Sequence, residues 1–112
     1  MVSNYVPSRG DIVWLDFDPQ AGHEQKGQRP ALVISPQEYN EKVGLALFCP
    51  ITSKEKKYPF EVKIRSHKIH GVILADQLKS LDWRSRGARY AARISDAELA
   101  EVIGKINALL GA

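Results

Sequence analysis

Asp11-Ile12-Val13-Trp14-Leu15-Asp16-Phe17 is a run in which Ile12 and Trp14 project to one side of an extended chain, and Val13, Leu15 and Phe17 to the other. Successive side chains of a strand face opposite ways, so this strand is apolar on both faces. Such a strand belongs in the middle of a sheet or at a contact between subunits. The cluster Pro7-Ser8-Arg9-Gly10 turns the chain into it, and Asp18-Pro19 ends it.

Working outward, residues 19–28 form a polar loop with two glycines, Gly22 and Gly27, and little that could pack. Long polar loops between strands often carry function. Residues 29–35 read as a second strand, broken at Ser35-Pro36, and residues 37–42 as a turn of helix or loop. Residues 45–51 are apolar throughout and form a third strand, in which Pro50 implies an edge or a bulge. A polar, basic loop follows at 52–57. In residues 58–64, Phe60, Val62 and Ile64 alternate with Glu61, Lys63 and Arg65, the pattern of a strand with one buried and one wet face. Residues 66–71 turn, 72–74 continue as strand, and part of the arginine-rich stretch 84–93 makes a last strand.

Ser95-Asp96-Ala97-Glu98 has capping-box spacing and starts a helix. Leu99, Val102, Ile103, Ile106, Leu109 and Leu110 give it one apolar stripe, and Gly111 stands where it should stop. Gly104 weakens its middle by roughly 1 kcal/mol relative to alanine. Several short strands and one terminal helix predict a small, strongly bent antiparallel sheet or half-open barrel covered by the helix.

The 112 residues are expected to form one domain, spanning 1–112, with one modest core. Apolar residues make up 44% and charged residues 26%, an ordinary globular balance. The net charge of +3 permits a polyanionic partner without requiring one. No apolar run approaches a membrane span, so no membrane association is expected. Met1-Val2-Ser3-Asn4-Tyr5-Val6-Pro7 lacks a signal-peptide layout, and the single cysteine cannot form an internal disulfide. The chain therefore reads as cytoplasmic.

Candidate chemistry centres on His23-Glu24-Gln25-Lys26-Gly27-Gln28-Arg29-Pro30, which runs straight into Ala31-Leu32-Val33-Ile34-Ser35. Pro30 biases Arg29 toward an extended backbone, so an arginine and the nearby Glu24 stand at one strand start. A plain surface ion pair is the alternative. Cleaving RNA by its own 2′-hydroxyl needs a base, an acid for the leaving 5′-oxygen, and donors for the charge growing on the phosphate. Arg29 is a fork of donors suited to phosphate. Thr52, where the third strand ends, offers a hydroxyl to a non-bridging oxygen. Glu24 can orient the arginine or take part in proton transfer. Arginine is a poor base, so Arg29 is assigned charge stabilisation.

The histidines compete for acid and base roles: His23 adjoins Glu24, and His67 lies near His70. The alternative is that all three decorate exposed loops. Cys49 sits in an apolar strand and reads as a small core residue. Three histidines and one cysteine match no compact zinc spacing, and no cofactor or metal is assigned. Lys54, Lys56 and Lys57 cluster beside Thr52, and Lys79, Arg84 and Arg86 cluster later. Brought together by the sheet, they would line an electropositive trough, with Phe17, Tyr58 and Trp83 able to stack on unpaired bases. The alternative is a solvated charged face with core aromatics: Trp14 and Phe60 read as core, and Phe17 and Trp83 stay open between the two.

These stretches occur in an order that resembles the MazF/PemK family of bacterial toxin endoribonucleases. The matching pieces are Tyr5-Val6-Pro7, the run from Gly10 through Pro19, Gly22-His23-Glu24-Gln25 with Gln28-Arg29-Pro30-Ala31, Ser35-Pro36, Pro50-Ile51-Thr52-Ser53, Tyr58-Pro59-Phe60-Glu61-Val62, and Ala75-Asp76-Gln77-Leu78-Lys79-Ser80. The resemblance covers essentially the whole chain. It implies an SH3-like barrel of antiparallel strands, of the CcdB/PemK type, with a C-terminal helix, usually as a homodimer. It also implies a ribosome-independent, metal-independent toxin that cuts single-stranded RNA at a short sequence, leaving a 2′,3′-cyclic phosphate and a 5′-hydroxyl. The family's catalytic arginine and threonine fall on Arg29 and Thr52, and its acidic helper on Glu24. RNA contacts fall on Phe17, Gln77 and Lys79, and on Ser53, Lys54, Lys56 and Tyr58 of the following loop. A MazE-type antitoxin with an acidic tail would lie across the same groove. His23 departs from the family pattern, and Lys54-Glu55-Lys56-Lys57 is more charged than usual there, which leaves the recognised sequence open. A CcdB-like toxin that binds DNA gyrase through its C-terminal helix is the second reading; it needs none of Glu24, Arg29 and Thr52.

Overall fold

The computed structural model describes residues 4–17, 28–65 and 68–111. Among them are seven strands: β1 (Asp11–Asp16), β2 (Gln28–Val33), β3 (Leu45–Thr52), β4 (Glu61–Lys63), β5 (Val72–Leu74), β6 (Lys79–Asp82) and β7 (Arg89–Arg93). Helix α1 (Gln37–Val43) links β2 to β3, and α2 (Asp96–Leu109) follows β7. Every strand pairing is antiparallel. The sheet runs β4-β5-β3-β2-β1-β7, with β6 on β3 as well, and among the described residues it stays open rather than closing into a barrel. The mainly β architecture with a C-terminal helix is as expected from sequence.

The two-faced character of β1 has a direct cause. Ile12 lies opposite Leu32 of β2 and Ala92 of β7, so β1 is an interior strand. Its two faces enter different cores. Ile12 joins Leu32, Cys49, Val62, Ile73, Val102 and Ile106 beneath α2. Val13 and Leu15 join Ala31, Val33, Phe48 and Trp83 on the other side. A fully buried side chain such as Phe48 contributes about 1.5–3 kcal/mol.

Several expectations are corrected. Pro50 is on neither an edge nor a bulge. Strand β3 pairs β6 along Leu45–Phe48 and β5 at Ile51 and Thr52, and Pro50 falls between the two ladders, opposite Ala31 of β2. A residue without an N–H is best tolerated where one neighbouring ladder stops and the next has not begun. The strand expected over 58–64 is shorter because Pro59 and Phe60 form a turn, closed by the Glu61 N–H donating to the Tyr58 carbonyl at 3.1 Å. Trp14 and Phe60 are half-buried and join neither core, whereas Trp83 is only 5% exposed. The Cys49 thiol is buried as expected, and burial pushes its pKa up to about 12.

Helix α1 is pinned by a buried polar knot. Asn40, fully buried, donates from Nδ2 to the Pro7 carbonyl (2.8 Å) and the Ser35 carbonyl (3.1 Å). Its Oδ1 accepts from Ser35 Oγ, which itself accepts from the Leu47 N–H at 2.8 Å. Trp83 Nε1 donates to the Asn40 carbonyl at 3.0 Å. Helix α2 starts with the anticipated capping box: Ser95 Oγ accepts from the Glu98 N–H, and the Glu98 carboxylate accepts from the Ser95 N–H. Glu98 Oε2 also accepts from the Arg65 N–H at 2.8 Å, tying the helix start to the β4–β5 hairpin. The apolar stripe is covered only in part. Val102 and Ile106 are buried, while Leu109 and Leu110 are 49% and 73% exposed. No helix among the described residues is long and apolar enough to cross a membrane.

Candidate nucleic-acid interface

The β3 strand carries the floor of a cleft of about 470 Å³, formed by Pro50, Ile51 and Thr52. Phe17, just past β1, and Arg29, on β2, wall one side; Lys54, Lys56 and Tyr58 of the 53–60 loop wall another. Glu61 of β4, Leu74 of β5, Gln77 between β5 and β6, and Lys79 of β6 complete it. Among the described residues, four cations, Arg29, Lys54, Lys56 and Lys79, thus face one carboxylate, Glu61. Such a cleft attracts a polyanion well beyond what a net charge of +3 suggests.

The local geometry explains how each group is held. Arg29 lies opposite Leu15 in the β1–β2 ladder, so a rigid strand aims it. Thr52 lies opposite Val72 of β5, and its Oγ1 accepts from the Lys54 N–H at 3.2 Å, starting the turn that leaves β3. Behind it Gly71, at φ +137, packs so closely that an added Cβ would sit 2.4 Å from the Thr52 carbonyl oxygen. The 53–60 loop is tied down twice. Glu61 accepts from the Lys56 and Lys57 N–H groups. The Tyr58 hydroxyl donates to Asp76 Oδ1 at 2.6 Å, and this hydrogen bond is the first cause pushing the phenol pKa up to about 12. Lys79 Nζ stands 5.5 Å from the centre of the Phe17 ring. Arg86 Nη1 donates to the Asp16 and Phe17 carbonyls, both at 3.0 Å, while the Asp16 N–H donates to the Arg86 carbonyl. That clamp fixes the end of β1 beside the cleft.

Of the residues singled out from sequence, Phe17, Arg29, Thr52, Lys54, Lys56, Tyr58, Gln77 and Lys79 are brought together here. Ser53 is exposed but is not part of the lining. Glu24, His23 and His67 lie outside the described residues, and His70 is exposed and apart from the cleft. The second basic cluster divides. Lys79 faces the cleft, Arg86 is spent on the β1 clamp, and Arg84 stacks 4.6 Å from the Trp83 ring in a separate hollow with Glu41 and Arg89. Lys57 likewise faces a different groove, beside Glu101 and Lys105. Trp83 is buried with its N–H satisfied and cannot stack on a base. Sequence reasoning assigns no role to Glu61 or Asp76; the only signal is the wet-face position of Glu61 in the 58–64 alternation.

Comparison with known proteins agrees with this layout. A family model described as "PemK-like, MazF-like toxin of type II toxin-antitoxin system" matches residues 8–110. The endoribonuclease toxin MazF of Escherichia coli K12 is 50% identical over 111 residues, covering 99% of this chain and 100% of that protein. The endoribonuclease PemK of Escherichia coli is 33% identical over 107 residues, covering 91% of this chain and 80% of that one. Among solved structures, MazF from Deinococcus radiodurans superposes with a TM-score of 0.88 at 55% identity, covering 97% of this chain and 100% of that one. A MazE–MazF complex from the same organism gives 0.87 at 50% identity, covering 96% and 98%.

Proposed function

The chain belongs to the PemK-like, MazF-like toxin family of type II toxin–antitoxin systems, and from that premise we propose that it is a sequence-specific endoribonuclease acting on single-stranded RNA in the Arg29/Thr52 cleft. It inhibits translation and growth by cutting mRNA independently of the ribosome. The observation that supports this reading is the cleft itself, where a strand-mounted arginine, a threonine hydroxyl and three lysines converge.

The chemistry follows from the groups. The 2′-oxygen of one nucleotide attacks the adjacent phosphorus as its proton leaves, the bond to the 5′-oxygen breaks, that oxygen takes a proton from solvent, and a 2′,3′-cyclic phosphate and a 5′-hydroxyl result. The nucleophile is the RNA's own hydroxyl, so no metal-activated water is called for. Arg29 and the Thr52 hydroxyl donate to the phosphate oxygens as charge builds there. Glu24 orients Arg29 or moves the 2′-hydroxyl proton. Phe17 and Tyr58 offer ring faces to unstacked bases, and Lys54, Lys56, Gln77 and Lys79 hold the strand.

The toxin is held inactive in the cytoplasm by a MazE-type antitoxin whose acidic tail competes for the cleft; MazE–MazF complexes from Deinococcus radiodurans support such a partner. A homodimer is part of the same proposal, supported by the apolar surface that Leu109 and Leu110 leave uncovered.

The test is to incubate the protein with a long unstructured RNA in excess EDTA and map the new 5′ ends. Cuts at one short sequence, leaving 5′-hydroxyls, are expected. Arg29→Ala should lower the rate by about 10²–10³, the usual effect of removing one oxyanion donor, while the fold is retained. Intact RNA from folded wild-type protein would overturn the proposal.

A further inference from the structure

We propose that Glu61 is a positioning residue for RNA binding: its carboxylate holds the 53–60 loop so that Lys54 and Lys56 face the cleft. The inference rests on the reading of the cleft as an RNA site.

Residues 53–57 are all exposed, so no buried side chain anchors this part of the loop, and the Tyr58–Asp76 bond lies beyond it. Backbone hydrogen bonds to Glu61 take that part. Its Oε1 accepts from the Lys57 N–H at 2.8 Å and its Oε2 from the Lys56 N–H at 2.9 Å. The chain between them is in an uncommon conformation: Lys57 has φ +60, in the left-handed region that residues with a Cβ rarely adopt. Such a conformation persists only when its surroundings impose it. Glu61 also closes the turn from below, its own N–H donating to the Tyr58 carbonyl.

A carboxylate in a cleft that binds RNA is unfavourable on charge alone, since it repels phosphate. Charge and positioning therefore predict opposite signs. If Glu61 acted only through its charge, removing it would tighten RNA binding. If it positions the loop, removing it releases two lysines from the phosphate path and weakens binding.

The experiment uses the full chain and a single-stranded RNA spanning the mapped cut site, with 2′-deoxyribose at the scissile position so that it binds without being cut. Affinity is measured across a salt series for wild type, Glu61→Ala and Glu61→Gln, alongside cleavage kinetics on the all-ribose strand and amide exchange at Lys56 and Lys57. Glu61→Ala should bind about tenfold more weakly at moderate salt. Its dependence of log affinity on log salt should flatten by about 1.4, two phosphate contacts at roughly 0.7 each for a single strand. KM should rise while kcat holds, because binding common to substrate and transition state is what is lost. Glu61→Gln keeps one acceptor oxygen and should recover part of the affinity. Exchange at the Lys56 and Lys57 amides should accelerate in Glu61→Ala and less so in Glu61→Gln. Binding by Glu61→Ala as tight as wild type or tighter, or unchanged amide exchange, overturns the proposal. Wild-type protein that neither binds nor cuts the RNA overturns the RNA reading and the proposal with it, whereas normal wild-type cleavage with an indifferent Glu61→Ala overturns the proposal alone.

Discussion

Replacing Asn40 by alanine removes the centre of the knot that joins α1 to the N-terminal segment and to β2. Three side-chain hydrogen bonds disappear: to the Pro7 carbonyl, to the Ser35 carbonyl and from Ser35 Oγ. Each is worth about 1 kcal/mol net, and stranding a buried polar partner adds about 1–3 kcal/mol where water cannot replace the bond. Ser35 Oγ keeps its bond from the Leu47 N–H, and the Trp83 indole keeps the backbone carbonyl of residue 40, so part of the knot survives. The expected loss is about 3–5 kcal/mol, a large share of the 5–15 kcal/mol typical of a whole domain. At about 4 °C per kcal/mol for a chain of this size, Tm should fall by about 12–20 °C. Urea titration at fixed protein concentration is the assay, with Cm falling and the m-value unchanged. Asn40→Asp sharpens the test: it keeps an acceptor for Ser35 but sets a carboxylate against two carbonyl oxygens. It should be at least as destabilising near neutrality and recover as acid protonates the new carboxyl. A loss below about 1 kcal/mol in Asn40→Ala would refute the reasoning, since it would mean that the network is net neutral.

Lys57→Gly should stabilise the protein by about 0.5–1 kcal/mol, because glycine adopts φ +60 without a Cβ penalty; urea titration reads the gain, and a loss would show that the lysine is unstrained. Gly71→Ala should cost more than about 2 kcal/mol and slow RNA cleavage at least tenfold, since its Cβ would press on the Thr52 carbonyl and shift that residue; wild-type cleavage by this variant would count against Thr52. The hydrogen bond to Asp76 pushes the Tyr58 phenol from its ordinary 10.0 up to about 12, so this bond should add stability that is full below pH 10 and fades as pH climbs through 12. In an ultraviolet phenolate titration, the tyrosine missing from Tyr58→Phe should be one that ionises late; loss of an early one would contradict the geometry.

Features written within a short window are legible in the amino-acid order alone. Ser95 and Glu98 are three residues apart, so their capping box depends on nothing distant. The two apolar faces of β1 follow from strand alternation. Features that depend on what lies next door are not legible in this way. Pro50 reads as an edge marker because sequence does not say that β3 changes partner, from β6 to β5, at that point. The tryptophans show the same limit: Trp83 is buried because α1 offers its indole a carbonyl from 43 residues away, while Trp14 on an interior strand stays half-buried. In the cleft, the sign of the charge is readable but not its direction. Lys57, Arg84 and Arg86 look equivalent to Lys54 and Lys79 in sequence, yet backbone conformation, a ring stack and two carbonyls turn them elsewhere. Glu61 gives no signal of its role because its partners are backbone N–H groups, which no residue type announces.

The pairing of β1 with β7 has a consequence for synthesis. Asp11 meets Arg93, and the Ile94 N–H reaches the Gly10 carbonyl, so the first strand waits for the last. At about 5–20 residues per second, the ribosome takes roughly 4–16 s to travel between them. During that interval β1 has an open edge, and Phe17 lacks the Arg86 clamp that sets it beside the cleft. A nascent chain, or one cut short before Arg86, therefore carries the cleft's lysines without its finished wall. For a protein that cuts RNA, the order of the strands itself delays completion of the cleft until nearly all of the chain has been made, on the very message being read.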